Sequence, residues 1–169
     1  NLHMEMELKS VYAQINPHFI FNTLSAALML IQSGKMQSAY QHVTQFSQLL
    51  RAYLKSSRNR FIAIADEAEN LKNYIELQQI RFNGRFSYEM ILDLSPEDKQ
   101  RKIPSLLLQP IVENAINHGL FHKREKGTLK IHFMTGGDGK EIICTIEDDG
   151  IGRKQSKQIR NASSLKSES

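Results

Sequence analysis

Two apolar stripes of helical period, separated by one glycine stop, constrain the first third of this chain more than any other feature. From residue 2 to about 31, Leu8, Val11, Tyr12, Ile15 and Phe19, and further on Leu24 and Leu28, fall on one side of a helix. Pro17 lies inside this run, where it removes one backbone donor and is expected to bend the helix. Gln32-Ser33-Gly34 reads as a stop, with Gly34 suited to a left-handed C-terminal cap. From about residue 36 to 54 a second face runs through Met36, Ala39, Tyr40, Val43, Phe46, Leu50 and Tyr53. The reading is an antiparallel helical hairpin. Two helices cannot enclose a core, so these faces call for a partner, most economically a second copy in a dimeric four-helix bundle.

The period changes after residues 56–60, Ser-Ser-Arg-Asn-Arg, which read as a polar linker. A short extended piece at 61–64 leads into a helix from Asp66 through Leu71, Tyr74, Ile75, Gln78 and Phe82, stopped by Asn83-Gly84. Phe86, Tyr88, Met90 and Leu92 alternate with polar neighbours and predict a strand. Pro96 lies in a polar loop. A strongly apolar helix is expected from about 104 to 118, with Gly119 as its stop. Strands at 128–134 and 141–146 flank Gly136-Gly137-Asp138-Gly139, a hairpin turn.

With 169 residues, 40% of them hydrophobic, the chain can bury one good core or two small ones. Few Pro and Gly exclude collagenous and Pro-rich disordered classes. Its one cysteine, Cys144, cannot form an internal disulfide, which points to a reducing cytoplasm. No apolar run approaches the roughly 18 residues of a membrane span, and no signal peptide opens the chain. A soluble piece is expected. The net charge of +4 lies wholly in residues 1–60, with six basic and two acidic side chains. A surplus this small is weak evidence for nucleic acid; it suits an acidic protein partner or an inner membrane surface equally.

Three clusters could carry chemistry. In Gln14-Ile15-Asn16-Pro17-His18-Phe19-Ile20-Phe21-Asn22, His18 and Asn22 share a helical face. An isolated helical histidine is usually just solvated, yet an Asn-Pro-His step costs helix stability, and such violations often mark working sites. A neutral imidazole is a competent nucleophile near pH 7. His42 is the next candidate. In the second cluster, Asn114 and His118 share one face and Glu113 and Asn117 the neighbouring one, on an otherwise apolar helix. That arrangement is either a solvated stripe or a pocket wall, and an amide oxygen suits Mg²⁺. The third is Glu147-Asp148-Asp149-Gly150-Ile151-Gly152, where two glycines allow close backbone approach and an Asp can accept from an exocyclic amine. Alone, that motif is as often an ordinary turn.

In their order, INPHFIFNTL, LKNYIELQQIRF, PSLLLQPIVENAINHGL and IEDDGIG resemble the sensor histidine kinases of the LytS/YehU type over about residues 8–155. The resemblance implies an α+β fold: a dimerising helical hairpin over 1–55, a linker over 56–61, and an α/β-sandwich ATPase domain of the gyrase and Hsp90 kind over 62–169. It implies ATP and Mg²⁺ as cofactors, autophosphorylation on His18, and transfer to an aspartate of a response-regulator receiver domain, with no direct role for nucleic acid. By position, His18 corresponds to the phosphoacceptor, Asn114 to the Mg²⁺-binding asparagine with Glu113 beside it, and His118 to a phosphate-contacting residue, with Asn117 on the same wall. Asp148 corresponds to the adenine-reading aspartate, and Gly150 and Gly152 to the start of the ATP lid. Arg81 faces either the nucleotide or the hairpin.

Two departures accompany the resemblance. Many histidine kinases place an acid directly after the acceptor; here Phe19 stands there, and Asn22 can orient an imidazole without deprotonating it. The family's later glycine-rich box and closing elements do not follow Gly152, so the ATPase part is expected to be C-terminally incomplete. Upstream sensor and membrane segments, through which such a protein would be an inner-membrane sensor with this part in the cytoplasm, are also not present. Residues 153–169, with only Ile159 and Leu165 as large aliphatics, are expected to be mobile and nucleotide binding weak. The alternatives are an ATPase of the same fold without histidine kinase activity, and an inactive dimerisation or docking fragment.

Overall fold

The computed structural model describes residues 17–121, 123, 125–150 and 157–161, with 56–58 and 157–161 as backbone only. The readings on Ile15, Asn16 and Gly152 lie outside the described residues, as does the expected bend N-terminal to Pro17. The first helix, α1, is described over Pro17–Gln32. Gly34 closes it at φ +74°: its N–H donates to the Ile31 carbonyl (3.0 Å) and that of Lys35 to Leu30 (2.9 Å). This is the paired 5→2 and 6→1 closure that a glycine in the left-handed region permits.

The second helix, α2, spans Met36–Arg58 and so runs through half of the segment read as a linker. Ser and Arg are tolerable in a last helical turn, and the polar composition alone did not distinguish it from coil. Its buried face also differs from the expected one. Ala39, His42, Phe46, Leu49 and Tyr53 are buried at spacings of three and four, whereas Met36, Tyr40 and Val43 are exposed. The hairpin has two apolar stripes, and only one is covered.

What covers it is the rest of the chain. A short strand β1 (Phe61–Ala63) leads directly into α3 (Ile64–Arg81), which ends at Asn83 and Gly84, both at positive φ. Ile64, Ala68, Leu71 and Ile75 line its sheet-facing side, and Phe19, Phe46, Leu49 and Tyr53 of the hairpin join the same contiguous core. Across the outer side of this joint, Glu76 accepts from Gln45 Nε2 and from the Tyr88 hydroxyl, each at 3.0 Å.

Strand β2 (Phe86–Asp93) follows, then a single helical turn α4 (Pro96–Lys99), where a loop was expected. Ser95 caps it by accepting from the Asp98 N–H (3.1 Å), with Pro96 in the first turn. Strand β3 (Lys102–Pro104) pairs antiparallel with β1, so the helix expected from 104 begins only at Gln109. It runs as α5 (Gln109–Asn114) and continues as a π-helical segment, Ala115–Leu120. Strands β4 (Gly127–Thr135) and β5 (Ile142–Asp148) form the expected hairpin, with Gly139 at φ +71° in the turn. With a further strand β6 (Lys157–Asn161), the sheet order is β2-β4-β5-β6, with β2 parallel to β4 and the other pairs antiparallel.

Alternation decides the faces. Leu129, Ile131 and Phe133 of β4 and Ile142, Cys144 and Ile146 of β5 point at the helices, while Lys130 and Glu147 point away. Burial pushes the Cys144 thiol up to about 12, which keeps it protonated and unreactive. The last strand, β6 (Lys157–Asn161), corrects the expectation of a mobile tail over 157–161. An open sheet edge pairs a segment through backbone hydrogen bonds, without needing apolar side chains from it.

Candidate active site

The first group of candidate residues rests on one helical turn. His18 is exposed, and the Asn22 amide Nδ2 donates to its Nδ1 at 3.0 Å. The same Nδ2 lies 3.3 Å from Nε2, so the contact orients the ring without selecting a tautomer. Phe19 points the other way and is buried. The hairpin's other histidine cannot serve as acceptor in this state. His42 is 0% exposed, its Nε2 lies 2.9 Å from the Thr23 carbonyl, and burial holds its pKa below the ordinary value.

The second group is built on the helix after β3. Asn114 closes α5 and is exposed, Glu113 and Asn117 are half-buried, and His118 is exposed on the π segment. The wider winding is shown by the Phe121 N–H donating to the Ile116 carbonyl (2.9 Å), and π segments are frequent at functional sites. Gly119, expected as a helix stop, sits inside this segment. A Cβ there would collide with the Asp148 carboxylate, and one on Gly150 would collide with the Gly119 backbone. The two glycines therefore let the end of β5 lie directly on the helix. Asp148 Oδ1 accepts from the Gly150 N–H (3.0 Å), which orients the carboxylate. The neighbouring Asp149 accepts from Thr128 N–H (2.7 Å) and pairs with Lys123 (3.0 Å), tying the segment after the helix to the same turn.

One element of this construction was not found by reading the chain, and the direction of a second was left open. Glu67 on α3 is 1% exposed and accepts from the backbone N–H groups of Leu106 and Leu108, both at 3.2 Å. Burial raises its pKa against the pull of those two donors. It holds the loop before α5, where Leu106 adopts φ +58°, a strained value for a residue with a side chain. The signal was present: a lone carboxylate inside the stripe Ile64, Ala68, Leu71, Ile75. The second element is Arg81, whose direction was left open. It donates to Gln78 Oε1 (3.3 Å), lies 4.6 Å from the Phe82 ring centroid, and interacts electrostatically with Tyr74 and Glu113.

Residues 6–86 match the family described as Histidine kinase. Sensor protein LytS of Staphylococcus haemolyticus is 35% identical over 150 residues, 88% of this chain and 24% of that protein. Sensor histidine kinase BtsS of Escherichia coli K12 is 34% identical over 161 residues, 95% of this chain and 27% of that protein. Sensor histidine kinase YesM of Bacillus subtilis is 34% identical over 149 residues, 88% and 25% of the respective chains. The chain thus spans about a quarter of the length of the curated relatives it matches.

Proposed function

The chain belongs to the sensor histidine kinase family of the LytS type, and on that premise we propose that it is the kinase core of a two-component sensor. In this reading it phosphorylates itself on His18 from ATP and passes the phosphoryl group to an aspartate of a response regulator. One observation carries the reading most: the Asp148 carboxylate is seated on Gly119, within the helix that bears Asn114 and His118. That contact brings the aspartate that would read an exocyclic amine onto the same helix as the groups that would meet phosphate.

The residues fit the cofactors. Asp148 has one oxygen oriented by the Gly150 N–H and retains acceptor capacity for an adenine amine. Asn114 offers an exposed amide oxygen, the donor type Mg²⁺ takes when phosphates complete its shell. Magnesium, when bound with the triphosphate, supplies charge neutralisation. The chain's own work is positioning: Asn114 and His118 orient the phosphates, and Asn22 orients the ring of His18. The apolar stripe left open on the hairpin, Leu24, Leu28, Met36, Tyr40 and Val43, supports a second copy as its cover. Among the described residues no helix is long and apolar enough to cross a membrane.

Incubation with labelled ATP tests the reading. In the full-length kinase, acid-labile, base-stable phosphate on the protein is expected, lost in His18→Gln with nucleotide binding retained. Asn114→Asp is expected to weaken Mg·ATP binding instead. ATP hydrolysis without protein-bound phosphate would establish the ATPase alternative. Phosphate persisting in His18→Gln would move the acceptor.

A further inference from the structure

The residue after His18 has no role in the reading above, although it is among the most buried in the hairpin. Phe19 is 4% exposed and lies between two rings: Phe46 of α2, edge-on at 6.1 Å, and Tyr74 of α3, tilted at 5.0 Å. Neighbouring helical residues point about 100° apart, so anchoring Phe19 in this slot fixes His18 at the rim of the joint. The same slot explains why no acid stands after the histidine. A carboxylate at position 19 would be held between aromatic rings, where burying a charge is strongly unfavourable.

Tyr74 carries the connection onward. Its hydroxyl accepts from Gln78 Nε2 (2.9 Å), and Gln78 Oε1 accepts from Arg81 (3.3 Å). Positions 74, 78 and 81 fall on one face of α3. Tyr74 and Arg81 both lie within electrostatic range of Glu113, the neighbour of Asn114. One helical face therefore runs from the ring that meets Phe19 to a guanidinium within electrostatic range of Glu113.

We propose that Phe19 and Tyr74 form an aromatic clasp that positions His18 for phosphoryl transfer, holding the acceptor helix against the face of α3 that carries Tyr74, Gln78 and Arg81. The clasp rests on His18 being the acceptor. It is a positioning device: neither ring touches the reacting atoms. Aromatic pairs prefer defined offset and edge geometries, which an aliphatic side chain of similar volume does not reproduce. Misplacement by about 1 Å costs up to 100-fold in rate.

Phe19→Leu, Tyr74→Leu and Tyr74→Phe in the full chain test this. Affinity for a fluorescent ATP analogue with Mg²⁺, the rate of His18 phosphorylation at saturating ATP, and hydrogen exchange over Pro17–Gln32 are measured together. The expected result is an affinity within about twofold of the parent, with a rate about 10-fold to 100-fold lower in both Leu variants. Tyr74→Phe, which keeps the ring, restores the rate relative to Tyr74→Leu. Exchange over Pro17–Gln32 rises in both Leu variants. An unchanged or faster rate in the Leu variants overturns the proposal, faster transfer marking the contact as inhibitory. A parent chain that takes no phosphate on His18 defeats the acceptor reading instead. In that case exchange decides the clasp: unaltered protection in Tyr74→Leu shows that the rings do not hold α1.

Discussion

The hairpin and the sandwich solve the same burial problem to different degrees. From β1 to β5 the large apolar side chains are mostly enclosed between one sheet face and the helices over it, with Phe61, Ile91 and Phe121 the exposed exceptions. The hairpin, about half as long, leaves Phe21, Leu24, Leu28, Met29, Ile31, Met36, Tyr40 and Val43 open. A sheet with helices on one face encloses a core by itself, whereas two helices have a cylinder's worth of surface each and share only a strip. The covered strip is itself divided. Ala39 and His42 pack against α1, while Phe46, Leu49 and Tyr53 belong to the core of the sandwich. The hairpin is a joint with one side committed to its own chain and, among the described residues, the other left exposed.

Leu49→Ala against Leu28→Ala separates the two sides most sharply. Leu49 is fully buried where hairpin meets sandwich, and its truncation is expected to cost about 2–5 kcal/mol in urea unfolding. Leu28 is 59% exposed; its truncation is expected to leave unfolding of the single chain nearly unchanged and to weaken self-association in light scattering. Equal destabilisation by both would show that the hairpin has no free side.

Gly150→Ala acts on the sandwich alone. The added methyl meets the Gly119 backbone, which cannot move as a side chain can, so about 1–3 kcal/mol of stability is lost and Asp148 is lifted from the helix. Calorimetry is expected to show nucleotide affinity falling with self-association intact. Association falling in parallel would mean that the two regions are not separable.

The smallest effect lies in the hairpin and depends on pH. His42 is buried with Nδ1 lacking a hydrogen-bond partner, and burial lowers its pKa from the ordinary 6.5. As pH falls through about 6.5 the unfolded chain takes up a proton that the folded chain still refuses, so the unfolded state binds more protons and stability falls. The loss ends once pH passes below the folded-state pKa. His42→Gln is expected to flatten this slope, read as denaturation midpoints across pH 5–8. A slope unchanged by the substitution would assign it to other groups.

Local chemistry was legible wherever a residue type is tied to a backbone need. Gly34, Asn83-Gly84 and Gly139 all take positive φ where turns were read from the chain, and the alternation of β2, β4 and β5 matched their faces. The motif residues likewise fall on the elements expected of them, His18 and Asn22 one turn apart and Asn114 and Asp148 on the helix and strand that meet at Gly119. Legibility failed where a neighbour in space decided the outcome. The apolar run from 104 reads as helix, yet pairing of Lys102–Pro104 with β1, and Glu67 holding the Leu106 and Leu108 amides, delay the helix to Gln109.

The chain's own order of residues therefore determined its elements, its turns and the chemical types available at each motif, because helix and strand periods and glycine's freedom at positive φ are local properties. The tertiary structure alone decided which of the hairpin's two stripes is buried, that Gly119 serves close approach to Asp148 rather than a stop, and that Phe19 meets Tyr74. Each of those depends on a surface contributed from far along the chain, and periodicity marks a face as apolar without saying what will lie against it.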